Sequence, residues 1–196
     1  MKEIVVASTN EHKIKEIGQI LEPLDIRVVG MNDVLQVPLE IEETGTTFLE
    51  NAYIKAKTVS DVINMPVLAD DSGLEVEALD NQPGIYSSRF MGENTSYQVK
   101  NQYIIDQLKD KENRKARFVC ALCLVVPGHE PLYIEEYFNG EIAHKIEGNN
   151  GFGYDPIFYY PPLGMTSSQM DSATKNIHSH RGNALAKLQE KIKEVI

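Results

Sequence analysis

The sequence has no apolar run that approaches the roughly 20 residues of a membrane span, so a membrane partner is not expected. It has no excess of basic residues: 19 Lys and Arg stand against 29 Asp and Glu, for a net charge of -10. That balance argues against a protein that coats polymeric nucleic acid by neutralising phosphates, and any phosphate must be handled locally. The opening residues lack the long apolar core and small-residue cleavage site of a signal peptide, so a cytoplasmic protein is expected. Cysteine is scarce. Cys120 and Cys123 sit in an apolar run, residues 117–126, that reads as a buried strand. Three residues along a strand is an odd step, which points the two sulfurs to opposite faces with Cα atoms about 10 Å apart, too far for a disulfide. Neither a redox nor a zinc role is expected.

What is present is a chain long enough to bury its own core, 196 residues with 42% hydrophobic and 24% charged. No linker, repeat or low-complexity tract interrupts it, which favours one unit over residues 1–196. Residues 3–7 read as a strand, and the polar break at Ser8, Thr9 and Asn10 leads into a helix with Ile14, Ile17 and Leu21 on one face. A strand, a cap and a helix can aim backbone N–H groups at an anion, with Lys13 in the first turn; an ordinary capped surface helix is the alternative. A second strand is expected over 26–30, then an irregular connection over 31–43. Thr47 and Glu50 have capping-box spacing, which predicts a helix over 48–63 with Phe48, Ala52, Val59 and Val62 inward. Lys55 falls within that stripe, with Asn51 one turn before it, so the lysine either snorkels or serves a buried anion.

The acids Asp70 and Asp71 follow the apolar run 65–69 and precede Ser72 and Gly73. A short strand ending in paired acids and turned by glycine would bring negative charge to the rim of a sheet, where a divalent cation is the first candidate to relieve repulsion. A half-exposed strand is expected over 73–78, a turn at 82–84, and a helix over 95–108 carrying Val99, Tyr103 and Leu108. Strands over 114–126 and 132–143 should form an antiparallel hairpin. The loop over 147–156 places Phe152 and Tyr154 on either side of Gly153, where backbone can approach a ligand and rings can stack on a planar base. Lys175, His180 and Arg181 precede a last helix with Leu185, Leu188, Ile192 and Val195 on one face.

Lysines at 13, 55 and 175, the acids at 42, 43, 70 and 71, and a glycine-aromatic loop together suit the hydrolysis of a phosphoanhydride with a metal. Two other readings stay open. A phosphatase with an aspartyl nucleophile would place its acids two apart on one side of a strand, whereas these are adjacent. A nucleotide-binding module without turnover would use the same binding residues.

The motifs STNEHK at 8–13, ETGTTFLENA at 43–52, ADDSGL at 69–74, PGIYSSR at 83–89, GFGYDPIF at 151–158 and SHRG at 179–182 resemble, in order, those of the inosine/xanthosine triphosphate pyrophosphatase family. The resemblance runs from residue 1 to about 190. It implies an α/β fold: a long curved mixed sheet flanked by helices, with two lobes around a central cleft and one sheet shared by a single domain. The activity implied is Mg2+-dependent conversion of a small-molecule nucleoside triphosphate, with ITP, dITP or XTP preferred, to the monophosphate and pyrophosphate. A homodimer is implied as well.

Position by position, Asp71 matches the family's catalytic carboxylate and metal ligand, and Glu43 a second metal-associated acid. Ser8, Thr9, Asn10, Glu11, His12, Lys13 and Lys55 match triphosphate-binding positions. Ser72, Phe152, Gly153, Tyr154, Asp155, Lys175, His180 and Arg181 match substrate and base contacts. A donor such as Arg181 or His180 would favour a 6-oxo purine and leave adenine unpaired. His178 stands where the family usually has an aliphatic residue, and no acidic residue stands shortly before Lys175 as the family pattern expects.

Overall fold

The first strand, β1 (Lys2–Val6), buries Ile4, Val5 and Val6 completely and pairs in parallel with β2 (Ile26–Gly30), Val5 opposite Val29. The structure is a computed structural model that describes residues 2–195. Between these strands runs α1 (Glu11–Leu21), capped by Asn10, and after them a short helix, α2 (Met31–Val34), occupies the start of the connection expected to be irregular. Helix α3 (Phe48–Ile63) has the expected bounds and capping box: Glu50 N–H donates to Thr47 Oγ1 at 3.1 Å, and Glu50 Oε2 accepts from the Thr47 N–H at 3.2 Å. Its inward face is Phe48, Ala52, Ala56, Val59 and Ser60. Val62, expected inward, is 60% exposed; Ser60 is buried instead, its hydroxyl donating to the Met65 carbonyl at 2.9 Å.

The strand β3 (Val67–Val76) corrects one expectation. The chain does not turn at Asp70–Asp71 but runs straight through Ser72 and Gly73, so the two segments expected on either side are one strand. The acids therefore sit in mid-strand and buried, not at a rim. Strand β4 (Gln82–Pro83) pairs antiparallel with β3, Glu75 opposite Pro83. Helix α4 (Tyr97–Gln107) corrects another. Val99 and Tyr103 face solvent, while Lys100, Asn101, Ile104 and Ile105 are buried. Backbone carbonyls satisfy the two polar residues: Lys100 Nζ donates to Ser88 O at 2.7 Å and Asn101 Nδ2 to Gly153 O at 3.1 Å.

The strands β5 (Lys115–Val125) and β6 (Leu132–Ile142) are sheet neighbours. They are followed by β7 (Phe158–Tyr160) and β8 (Met165–Thr166), antiparallel to one another, and by helices α5 (Ser172–His178) and α6 (His180–Lys191). The sheet is mixed and eight-stranded, in the order β2-β1-β3-β5-β6-β7-β8 with β4 on β3. Among the described residues no helix is long and apolar enough to cross a membrane.

By contacts the chain divides into two compact units: Met1–Asp71, Cys120–Glu136 and Arg181–Ile196 form one, Ser72–Val119 and Tyr137–His180 the other. The first has a core of Ile4, Val6, Leu68, Cys120 and Leu122 from strands against Ile17 and Leu21 of α1 and Leu185 and Leu188 of α6. The second packs Leu74, Phe118, Phe138 and Phe158 against Ile104 and Leu108.

Candidate active site

In the first unit, strand alternation sends Asp70 and Asp71 to different partners. Asp70 lies two residues beyond Leu68 and so shares the face packed by α1 and α6. Its Oδ2 accepts from Arg181 Nε at 2.8 Å and from the Cys120 thiol at 3.2 Å, and its Oδ1 is paired with Lys13. Arg181, 2% exposed, also pairs with Glu16 of α1. Burial alone would raise the Asp70 pKa, but Arg181 and Lys13 outweigh it and hold the carboxyl well below the usual range. Burial likewise works against the charge of Arg181, and Asp70 and Glu16 overcome it.

Asp71 points to α3. Lys55 Nζ donates to Asp71 Oδ1 at 2.9 Å, meets Glu43 Oε1 at 3.0 Å and donates to the Asp70 carbonyl at 3.0 Å. Lys55 thus serves buried anions and does not snorkel. Burial works against its charge, yet Asp71 and Glu43 together leave its pKa raised. For Asp71 the balance falls the other way: burial raises the carboxyl despite Lys55 and Lys13. Asp71 Oδ2 is buried and has no hydrogen-bond partner among the described residues.

The helix start at 8–13 is capped by Asn10, as both readings of that segment require. Asn10 Oδ1 accepts from the N–H groups of His12 at 3.0 Å and Lys13 at 3.4 Å, and Asn10 N–H donates to Ser8 Oγ at 3.1 Å. The cap occupies the two amides that would have faced an anion, and the side chains of Thr9, Glu11 and His12 are exposed. From this segment Lys13 reaches Asp70.

The second unit gathers most of the remaining predicted residues. Ser72 is half-buried and follows Asp71 in β3. Asp155 Oδ2 accepts from Lys175 Nζ at 2.8 Å and from the Phe152 N–H at 2.8 Å, and Lys175 Nζ stands 4.8 Å above the Phe152 ring. A Cβ on Gly151 would come within 2.2 Å of Asp155 Oδ2, and Gly151 has φ +73, so this position requires glycine. Phe152 is half-exposed, as a stacking ring should be. Tyr154 is not: it is buried edge-on against Tyr97, and its hydroxyl donates to Ser87 O at 2.7 Å, which removes it from the stacking role expected of both rings. His180 is buried and stacked on Phe118 at 4.8 Å. An acid does precede Lys175 by one turn, for Asp171 caps α5 through the Thr174 N–H at 2.7 Å. His178 lies beside Tyr160, ring centroids 5.4 Å apart.

Arg181 meets Asp70 through Nε and Glu16 through Nη1, so it stands against the acids as a counter-charge. The cysteines are free and buried as expected, Cys123 with its thiol pushed up to about 12 by burial, but Cys120 also donates to Asp70. The sequence motifs do not include Glu16 or Cys120, which the structure brings to Arg181 and Asp70. Glu16 stands three residues from Lys13 on α1, a spacing that puts both on one face and was the available signal.

No group of three or more His, Cys, Asp or Glu side chains that could hold a metal occurs among the described residues. Mg2+ does not require one, since it is commonly held by one or two carboxylates with waters and substrate phosphates completing its shell. The unpartnered Asp71 Oδ2, with Glu43 joined to the same lysine, fits that mode.

The profile of the Ham1 family matches residues 4–191. The chain belongs to the Ham1 family. A dITP/XTP pyrophosphatase from Exiguobacterium sp. is 44% identical over 189 residues, 96% of each chain. One from Listeria monocytogenes is 40% identical over all of this chain and 97% of its own. Among solved structures, the Ham1 protein of Coxiella burnetii superposes with a TM-score of 0.90 at 41% identity, covering 99% of this chain and all of that one. That of Staphylococcus aureus gives 0.89 at 41% identity, covering 98% and 99%. These matches carry the mixed sheet flanked by helices to Ham1 structures over nearly the whole length.

Proposed function

We propose that this member of the Ham1 family hydrolyses the non-standard purine nucleoside triphosphates ITP, dITP and XTP to the monophosphate and pyrophosphate, and so keeps such bases out of nucleic acid precursors. The relatives named dITP/XTP pyrophosphatase support the reaction class. The observation that carries it at the site is Asp71, whose Oδ1 is held by Lys55 while its buried Oδ2 is left for the reacting groups. Glu43 and Asp71 would hold Mg2+. When bound, Mg2+ neutralises charge on phosphate oxygens.

The protein's own part follows from its charges. Lys13 and Lys55 stabilise negative charge on the phosphate chain, and Asp71 orients the attacking water and takes its proton as the bond between the α- and β-phosphoryl groups breaks. Phe152 stacks on the base, with Lys175 and Asp155 fixing its loop. His180 or Arg181 supplies the donor that reads the 6-oxo group. Exclusion of guanine rests on its 2-amino group meeting no acceptor of matching shape. We further propose a cytoplasmic homodimer, which sedimentation would report as a particle of twice the 22.0 kDa chain mass.

The test is release of pyrophosphate from dITP with and without Mg2+. Release only with Mg2+, and none from the Asp71→Asn chain, is expected; inorganic phosphate with dIDP as product would contradict the reading.

A further inference from the structure

Glu43 lies in an irregular segment, and something must hold it against Lys55. Two residues later, the Gly45 N–H donates at 2.8 Å to Oδ1 of Asn51, a side chain that is completely buried on α3 one turn before Lys55. The approach is close enough that a Cβ on Gly45 would stand 2.6 Å from Asn51 Oδ1 and 2.7 Å from the Glu50 Cβ. Glu50 fastens the next residues, accepting from the Thr46 N–H at 2.6 Å and from the Thr46 hydroxyl at 2.8 Å. The segment is thereby laid on the first turn of the helix that carries Lys55.

We propose that Asn51 is a positioning residue for Glu43: by pinning the Gly45 amide it sets where the second metal-associated carboxylate stands relative to Lys55 and Asp71. The inference rests on the reading of Glu43 and Asp71 as the acids that hold the metal. Alanine scanning of exposed acids would not find it, because Asn51 is buried and acts through the backbone amide of Gly45. Loss of such a supporting contact lowers metal affinity or activity by roughly 10–100-fold.

The test uses the full chain without substrate. Mn2+ is titrated in while NMR follows paramagnetic broadening of the Glu43 and Asp71 amide signals, and hydrogen exchange of the Gly45 amide is measured on the same samples. Asn51→Leu, which keeps the volume and removes the acceptor, should leave the Gly45 amide unprotected and raise the Mn2+ concentration for half-broadening by roughly tenfold or more. Asn51→Asp, which keeps an acceptor, should restore protection and bring the Mn2+ requirement back toward that of the parent. Gly45→Ala attacks the same contact from the other side and should give the same shift, and it serves if Asn51→Leu does not fold. In the dITP assay the Mg2+ needed for half activation should rise in Asn51→Leu while KM for dITP at saturating Mg2+ stays unchanged. Unchanged Mn2+ broadening in Asn51→Leu and Gly45→Ala would overturn the inference and leave the proposed function standing. A parent chain that binds Mn2+ at Glu43 but releases no pyrophosphate would overturn the function, with the variant shift still judging the inference.

Discussion

Asp71 shows a conflict between stability and chemistry. Its pKa is raised by burial, so in the folded chain the group favours folding below the ordinary carboxyl pKa of 3.8, and that contribution is lost as the pH rises through the folded value. At neutral pH its charge therefore opposes folding. Asp71→Asn should melt at the same temperature as the parent or above it in a calorimeter, while kcat falls by roughly 10²–10⁴-fold, the usual contribution of a positioned base. Asp70 has the opposite character. Asp70→Asn removes the carboxylate that meets Nε of Arg181, which is 2% exposed. Breaking a buried pair in this way costs about 3–5 kcal/mol, which urea denaturation would measure as a lowered midpoint. The adjacent acids were legible as unequal from strand periodicity alone, which separates neighbours to opposite faces. Arg181 was not legible, because an arginine in a family motif looks the same whether it meets a ligand or a buried aspartate 111 residues away in sequence.

At the scale of the element, the bounds of α3 are legible in the sequence because its cap is a local matter: Thr47 and Glu50 need only each other and the backbone between them. Glu50 is fully exposed, and hydrogen bonds from Thr46, then from Thr47, lower its pKa from 4.5. A depressed carboxyl contributes stability above its unfolded pKa and loses it as the pH falls through the folded value. Stability measured from pH 6 down to pH 3 should thus decline less steeply in Glu50→Gln than in the parent. Thr47→Ala should lower stability by about 1 kcal/mol through the lost cap. β3 and α4 were misread for nonlocal reasons. Glycine after two acids suggests a turn, but burial on both faces keeps the chain extended through Ser72 and Gly73. On α4, distant carbonyls at Ser88 and Gly153 satisfy the buried Lys100 and Asn101, so Val99 and Tyr103 lie toward solvent while Leu108 stays buried as expected.

For the whole molecule, the charge balance of -10 conceals a local concentration of cations: Lys13, Lys55 and Arg181 meet Asp70, Asp71, Glu43 and Glu16 within the first unit, while Lys175 pairs with Asp155 in the second. This division accounts for what the sequence reading captured and what it did not. The motifs point to the family, whereas which cation pairs with which acid depends on packing between α1, α3, β3 and α6. The account's central claim is that the site cleaves between the α- and β-phosphoryl groups and selects a 6-oxo purine lacking a 2-amino group. A product-resolved assay across ITP, dITP, XTP, GTP and ATP with Mg2+ tests it most directly. Pyrophosphate and monophosphate from ITP, dITP and XTP, with GTP and ATP turned over far more slowly, is the predicted result; equal rates on all five, or inorganic phosphate and diphosphate as products, would contradict it.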